Sequence, residues 1–197
     1  MTSRRVVVAA GAAVGVLAVA VAGWLWLRPG EPRPAAFHGE PTSAFYAAVD
    51  SRQADAAPLT AQEVFTAATA NLGSLRRTST QEHADCDEIL WGAPASGCTQ
   101  ALGAAYAGNG LAGQFAIFNL PDGRAADALV NALGKDGFVR QDAAFDAARS
   151  RAQARAMGHY VTVSWVGGTA SADDLVTALV ALDGLGRVVQ NRILAAT

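Results

Sequence analysis

The two cysteines of the chain, Cys86 and Cys98, lie in the segment DCDEILWGAPASGC, with acidic residues around the first and His83 just upstream. Thiolates and imidazole bind zinc, but these three residues supply fewer ligands than a structural zinc site uses, and the carboxylates lack regular spacing. A redox centre of the thioredoxin type needs a C-x-x-C spacing, which is absent. We therefore predict a structural disulfide, with free thiols and a metal site as the alternatives.

His159 is the other polar residue with potential for chemistry. It follows Gly158 at the start of a predicted strand, next to Tyr160, with Arg155 and Trp165 nearby in sequence. A histidine base needs a nucleophile and an orienting acid, and the chain contains no G-x-S-x-G nucleophile elbow. We therefore predict no catalytic residue and take His159, Tyr160, Trp165 and Arg155 as candidate binding residues.

Neither a nucleotide cofactor nor nucleic acid is expected. The glycines of Gly108-x-Gly110-x-x-Gly113 fit a dinucleotide fingerprint in spacing, but they fall in a predicted hairpin turn and not between a strand and a helix. The formal net charge is −2, whereas nucleic-acid binding requires a basic surface. We predict no cofactor, no metal and no nucleic-acid partner.

The N-terminal segment predicts a membrane anchor. Residues 6–27 carry no charge, and Trp24 and Trp26 stand at the far end of this run. A helix needs about 20 apolar residues to cross the hydrocarbon core, and indole rings favour the headgroup level. We predict a cytoplasmic tail over residues 1–5 and a transmembrane helix over 6–27. The alternative is a signal peptide cleaved after the A-x-A sequence of residues 20–22.

Both alternatives export the rest of the chain. A short basic head followed by a large domain favours a cytoplasmic N-terminus and a translocated C-terminal part, and disulfides persist outside the cytoplasm. Residues 28–58 are rich in proline, which favours extended chain, so we predict a stalk there. Residues 59–197 are predicted to form one extracytoplasmic domain of a single-pass cell-membrane protein.

The patterns within this domain predict an α+β fold. Thr60-x-x-Glu63 is a capping box, and Asn109-Gly110 is a strong signal for a hairpin turn. Helices are predicted over 61–71, over 86–91, after 122, after 171 and at the C-terminus, and strands over 75–81, 98–107, 111–119 and 138–140. Polarity alternates over residues 151–166, whose second half is predicted to be a strand and whose alanine-rich first half is predicted to be either a strand or a helix. This order predicts an antiparallel sheet with helices packed on one face and one disulfide.

Three stretches carry a resemblance: PLTAQEVF from Pro58, GCTQALGAAY from Gly97 and GHYVTVSWV from Gly158. They resemble segments of single-pass, membrane-anchored extracytoplasmic proteins of high-GC Gram-positive (actinobacterial) bacteria that carry no assigned activity. The resemblance covers residues 58–168. It implies an extracytoplasmic α+β domain and assigns no catalytic residue.

These observations lead to two expectations about function. The first is a membrane-tethered interaction or sensor-like module of the cell envelope, which binds a partner protein or an envelope ligand without catalysis. The alternative is an envelope hydrolase centred on His159. A deep cleft with converging polar groups around His159 favours the hydrolase, and a shallow apolar patch favours the binding module.

Overall fold

The structure is a computed structural model that describes residues 30–196. A compact unit covers residues 32–197. The predicted tail over 1–5 and the predicted transmembrane helix over 6–27 lie outside the described residues. Between residues 30 and 196, no helix has the length and apolar character needed to cross a membrane.

Strands and helices are mixed along the chain, so the predicted α+β class is confirmed. The strands are β1 (Ala36–Glu40), β2 (Asn71–Leu72), β3 (Leu75–His83), β4 (Leu90–Trp91), β5 (Gln100–Gly108), β6 (Leu111–Asn119), β7 (Phe138–Val139), β8 (Ser150–Met157) and β9 (Tyr160–Gly168). The α-helices are α1 (Ala61–Val64), α2 (Gly123–Ala132), α3 (Ala172–Asp183) and α4 (Arg187–Ala196). Short 3₁₀ helices cover Ser43–Val49, Cys86–Ile89, Ala147–Arg149 and Gly184–Gly186.

Seven strands form the main sheet, in the order β1-β8-β9-β6-β5-β3-β2. All neighbours are antiparallel except β1 and β8. The predicted hairpin between β5 and β6 is present, with Asn109 and Gly110 at φ of 51° and 75°. The segment over 151–166 is a second hairpin, in which Gly158 turns at φ of 61°. A Cβ at Gly158 would lie 2.0 Å from the carbonyl oxygen of Val49, so only glycine fits there.

Helices cover both faces of this sheet, and the prediction of one covered face is wrong. On β6, Ala116 and Phe118 pack in the core beneath α2, while Phe115 and Ile117 pack in the core beneath α3 and α4. Every residue of β6 is buried. A strand that is apolar on both faces needs a covering layer on each side. The largely apolar strand β6 meets this description, so both faces of the sheet are covered there.

The segment predicted to be a stalk contributes to the domain. β1 pairs with β8 from Ala36, opposite Arg151, to Glu40, opposite Arg155, and Val49 is fully buried. The domain therefore begins well before residue 59. Proline-rich composition predicts extended chain, and an edge strand is an extended chain that tolerates nearby proline.

Two predicted helices are shorter than the sequence pattern suggests. The capping box is present, because the Thr60 hydroxyl accepts a hydrogen bond from the Glu63 amide at 3.2 Å. However, α1 ends after one turn, since Phe65 leaves the helical conformation and packs edge-on against Phe115, with ring centroids 6.2 Å apart. The helix predicted over 86–91 is a 3₁₀ turn followed by β4, which pairs with β7. In both cases a tertiary contact ends the helix.

Candidate functional site

Cys86 and Cys98 form a disulfide, as predicted from the sequence. The bond joins the 3₁₀ helix after β3 to the loop before β5, and its Cα atoms are 6.1 Å apart. Among the described residues no cysteine is free, and no group of three or more His, Cys, Asp or Glu side chains could hold a metal ion. The disulfide therefore fixes the position of β3 relative to β5 at one end of the sheet.

Loss of this disulfide should lower the free energy of unfolding by about 3 kcal/mol, because the cross-link closes a short loop and restricts the unfolded chain. The two cysteines are 12 positions apart. Urea unfolding of the full-length chain in detergent, with and without reductant, measures the difference. The double variant Cys86→Ser/Cys98→Ser is the control, and it should unfold at the same urea concentration with or without reductant. A wild-type midpoint that does not move on complete reduction would contradict the prediction.

His159 lies in the interior of the domain. Its side chain has no exposed surface, and its Nδ1 atom lies 2.8 Å from the carbonyl oxygen of Val49. Its ring packs on that of Tyr160, with centroids 3.9 Å apart. Burial lowers the pKa of His159 below its ordinary value. A general base must reach the proton that it removes, so the burial of His159 argues against the hydrolase alternative.

The depressed pKa of His159 should make the domain less stable in mild acid. Below its ordinary value of 6.5, the unfolded chain binds a proton that the folded chain does not, so stability is lost as the pH falls. We expect the free energy of unfolding to drop by at most about 1.4 kcal/mol per pH unit in this range. The variant His159→Asn, whose amide can still donate to Val49, should show a smaller slope between pH 7 and pH 5.5. The control His38→Asn changes a side chain that is 72% exposed and should keep the wild-type slope.

The structure places the other candidate binding residues in separate environments. Trp165 is fully buried beneath α2, on the face of the sheet opposite the core that contains Tyr160. Arg155 forms ion pairs with Glu40 at 2.6 Å and with Asp183 at 3.0 Å, which join β8 to β1 and to the end of α3. These contacts give Trp165 and Arg155 structural roles.

Tyr160 belongs to a network that fastens α4 to the segment before α1. Its hydroxyl donates to Asp55 at 2.8 Å, and Arg192 of α4 forms ion pairs with Asp55 at 2.8 Å and Glu63 at 2.9 Å. Burial and the hydrogen bond to Asp55 raise the pKa of Tyr160 above its ordinary range. Tyr160 therefore stays neutral and acts as a hydrogen-bond donor.

A cleft lined by several polar residues lies at the end of the sheet where β3 and β6 finish and β5 begins. The cleft there has a volume of about 270 Å³, and Arg52, Ala56 and Pro58 are among the residues that line it. The polar side chains that line it are Arg52, Glu82, His83, Thr99, Gln100 and Asn119. Strand register brings them together, since His83 lies opposite Ala101 and Gln100 lies opposite Asn119.

Two sets of contacts hold residues 52–59 against this end of the sheet. The side chain of Gln100 donates to the carbonyl oxygen of Leu59 at 2.7 Å and accepts from the Leu59 amide at 3.1 Å. Arg52 donates to the carbonyl oxygen of Gly97 at 2.6 Å. Sequence patterns did not indicate this cleft, because Arg52 falls in the predicted stalk. Of its lining residues, only His83 was considered from the sequence, and its Nδ1 atom is paired with Glu88 at 2.6 Å.

No protein-family model matches the chain, and neither a curated protein nor a solved structure gives a significant match.

Proposed function

We propose that this protein is a single-pass, membrane-tethered module of the bacterial cell envelope. Its N-terminus is cytoplasmic, residues 6–27 anchor it, and the domain outside the cytoplasm binds a partner protein or an envelope ligand without catalysis. The observation that carries the proposal is the disulfide Cys86–Cys98, because such bonds persist in oxidising compartments and are rare in the cytosol. The uncharged run over 6–27 supports the tether.

Binding is favoured over catalysis by the surroundings of the histidines. A nucleophile is activated by a base within hydrogen-bonding distance. Among the described residues, no serine, threonine or cysteine side chain forms a hydrogen bond with His83 or His159. The cleft near Arg52 places charged and amide groups on a concave surface, and such groups fix the orientation of a bound small ligand.

Two measurements in intact cells test this proposal. Added protease should digest the C-terminal domain from outside, and a protected domain would contradict the extracytoplasmic location. For binding, a photo-crosslinking residue is placed at Ala56, which is exposed and lines the cleft, and in a matched variant at Ala148, which is exposed elsewhere. We expect a recurrent envelope component to be captured from position 56 and not from 148. Equal capture from both positions would contradict binding at the cleft.

A further inference from the structure

Arg52 presents a cationic group to the cleft without an acidic partner of its own. Its guanidinium donates to the carbonyl oxygens of Leu120 and Gly97 and to the hydroxyl of Thr99. Arginine has five N–H groups, so two remain for a ligand. No carboxylate of the described residues lies within 4.0 Å of Arg52. A guanidinium held in this way is suited to a carboxylate, which it can bind through two parallel hydrogen bonds.

Asn119 adds a buried amide to the same cleft. It lies at the end of β6, lines the cleft and is only 3% exposed. Its Oδ1 atom is buried and has no hydrogen-bond partner among the described residues. Buried amide oxygens are almost always paired, because an unpaired one forfeits the hydrogen bond that it had with water. Asn119 therefore adds a polar residue to the wall of the cleft, and its enclosed Oδ1 atom does not contact the space within it.

Glu82 supplies the opposite charge. It lies near the end of β3, is exposed and lines the cleft. One of its oxygens, Oε1, accepts from Gln100 at 3.0 Å, so Oε2 is available to an ammonium group. The neighbouring His83 is already paired with Glu88. The cleft thus combines one anionic and one cationic side chain within a volume of about 270 Å³, which is room for roughly nine water molecules.

We propose that this cleft binds a small zwitterion that carries both an ammonium and a carboxylate, as a free amino acid or a short peptide does. Arg52 holds the carboxylate, and Glu82 holds the ammonium. The inference names the ligand class of the binding role proposed above and rests on it.

Ligand-observed NMR with the full-length chain in detergent micelles tests the inference. The probes are L-alanine and L-alanyl-L-alanine, which carry both charges, and propionate and ethylamine, which carry one each. Each probe is titrated to about 10 mM, so that weak millimolar binding is detected. We expect the zwitterions to bind about tenfold or more tightly than the singly charged probes, since each charge-assisted hydrogen bond contributes separately. Tighter binding of L-alanine identifies free amino acids as the source, and tighter binding of the dipeptide identifies peptides.

Three variants assign the binding to the cleft. Arg52→Gln should weaken zwitterion binding about tenfold or more, through loss of the carboxylate contact. Glu82→Gln changes an exposed side chain, so it provides the test even if Arg52→Gln unfolds the domain. The matched control Arg124→Gln changes an exposed arginine that does not line the cleft and should bind as the wild type does. Absence of zwitterion binding, or binding unchanged in both cleft variants, overturns the inference.

The two proposals can fail separately. A domain that is digested from outside the cell but binds neither zwitterion overturns the ligand class and leaves the envelope location intact. A domain that is protected in cells yet binds L-alanine through Arg52 overturns the location and leaves the cleft assignment intact.

Discussion

Replacing Trp165 with alanine is expected to lower the free energy of unfolding by about 3–5 kcal/mol, the range for removing a buried aromatic side chain. Trp165 is fully buried, and the edges of Phe138 and Phe145 meet its ring at centroid distances of 5.1 and 5.2 Å. Its indole N–H donates to the Ser150 hydroxyl at 2.8 Å. The substitution removes these contacts together and leaves a cavity beneath α2.

Urea unfolding of the full-length chain in detergent measures this effect. The variant Trp165→Phe keeps most of the ring volume and loses the hydrogen bond to Ser150, so it should be less destabilising than alanine. Val180→Ala is the matched control at a side chain that is 66% exposed, and it should stay within about 0.5 kcal/mol of the wild type. A loss below about 1 kcal/mol for Trp165→Ala would contradict the packing described for this core. It would also restore Trp165 as a candidate binding residue.

Replacing Arg192 with methionine is expected to lower the free energy of unfolding by about 3 kcal/mol, because removing one partner of a buried ion pair leaves the other charge unpaired. The Arg192 side chain is 11% exposed and that of its partner Asp55 is 14% exposed. Its other partner, Glu63, is 35% exposed and contributes less, since water screens it. Burial acts to lower the pKa of Arg192, but the hydrogen bonds that Arg192 donates to Glu63 and the nearby acidic groups outweigh it and raise the pKa. Arg192 therefore remains charged at any pH at which the domain folds.

A double-mutant cycle separates the ion pair from the packing of the side chain. The combined variant Arg192→Met/Asp55→Asn removes both charges, so its loss of stability should be smaller than the sum of the two single losses. Arg187→Met is the matched control on the same helix, at an exposed arginine, and should change stability by no more than about 0.5 kcal/mol. Additive single losses would show that the ion pair contributes nothing beyond packing. Amide hydrogen exchange should also show faster exchange in α4 of Arg192→Met, because the network that fastens this helix is broken.

Local signals in the sequence were reliable where the controlling contacts are close along the chain. Asn109-Gly110 turns the β5–β6 hairpin as predicted, because two consecutive residues that tolerate positive φ determine the turn by themselves. The capping box at Thr60 forms as predicted, and the helix predicted after residue 171 begins with Ser171 as its cap. The disulfide between Cys86 and Cys98 follows from there being two cysteines at a short separation.

Predictions failed where distant segments decide the outcome. The helix predicted after Thr60 ends after one turn because Phe65 packs against Phe115, a contact between residues far apart in sequence. Within the proline-rich segment, Ser43–Val49 is a 3₁₀ helix. Residues 36–40 are extended, as the composition indicates, but pairing of β1 with β8 places them in the sheet. No property of residues 36–40 alone specifies that partner.

The candidate site shows the same contrast between features that the sequence predicts and features that only the tertiary structure shows. The sequence alone determined the anchor prediction, the α+β class, the hairpin and the disulfide, because each depends on composition or on neighbouring residues. The burial of His159 and the position of Trp165 in a core could be known only from the tertiary structure. The same is true of the cleft that Arg52, Glu82 and Asn119 line together. These three residues lie on a loop and two strands that are distant in sequence, and burial and juxtaposition depend on how the whole sheet assembles.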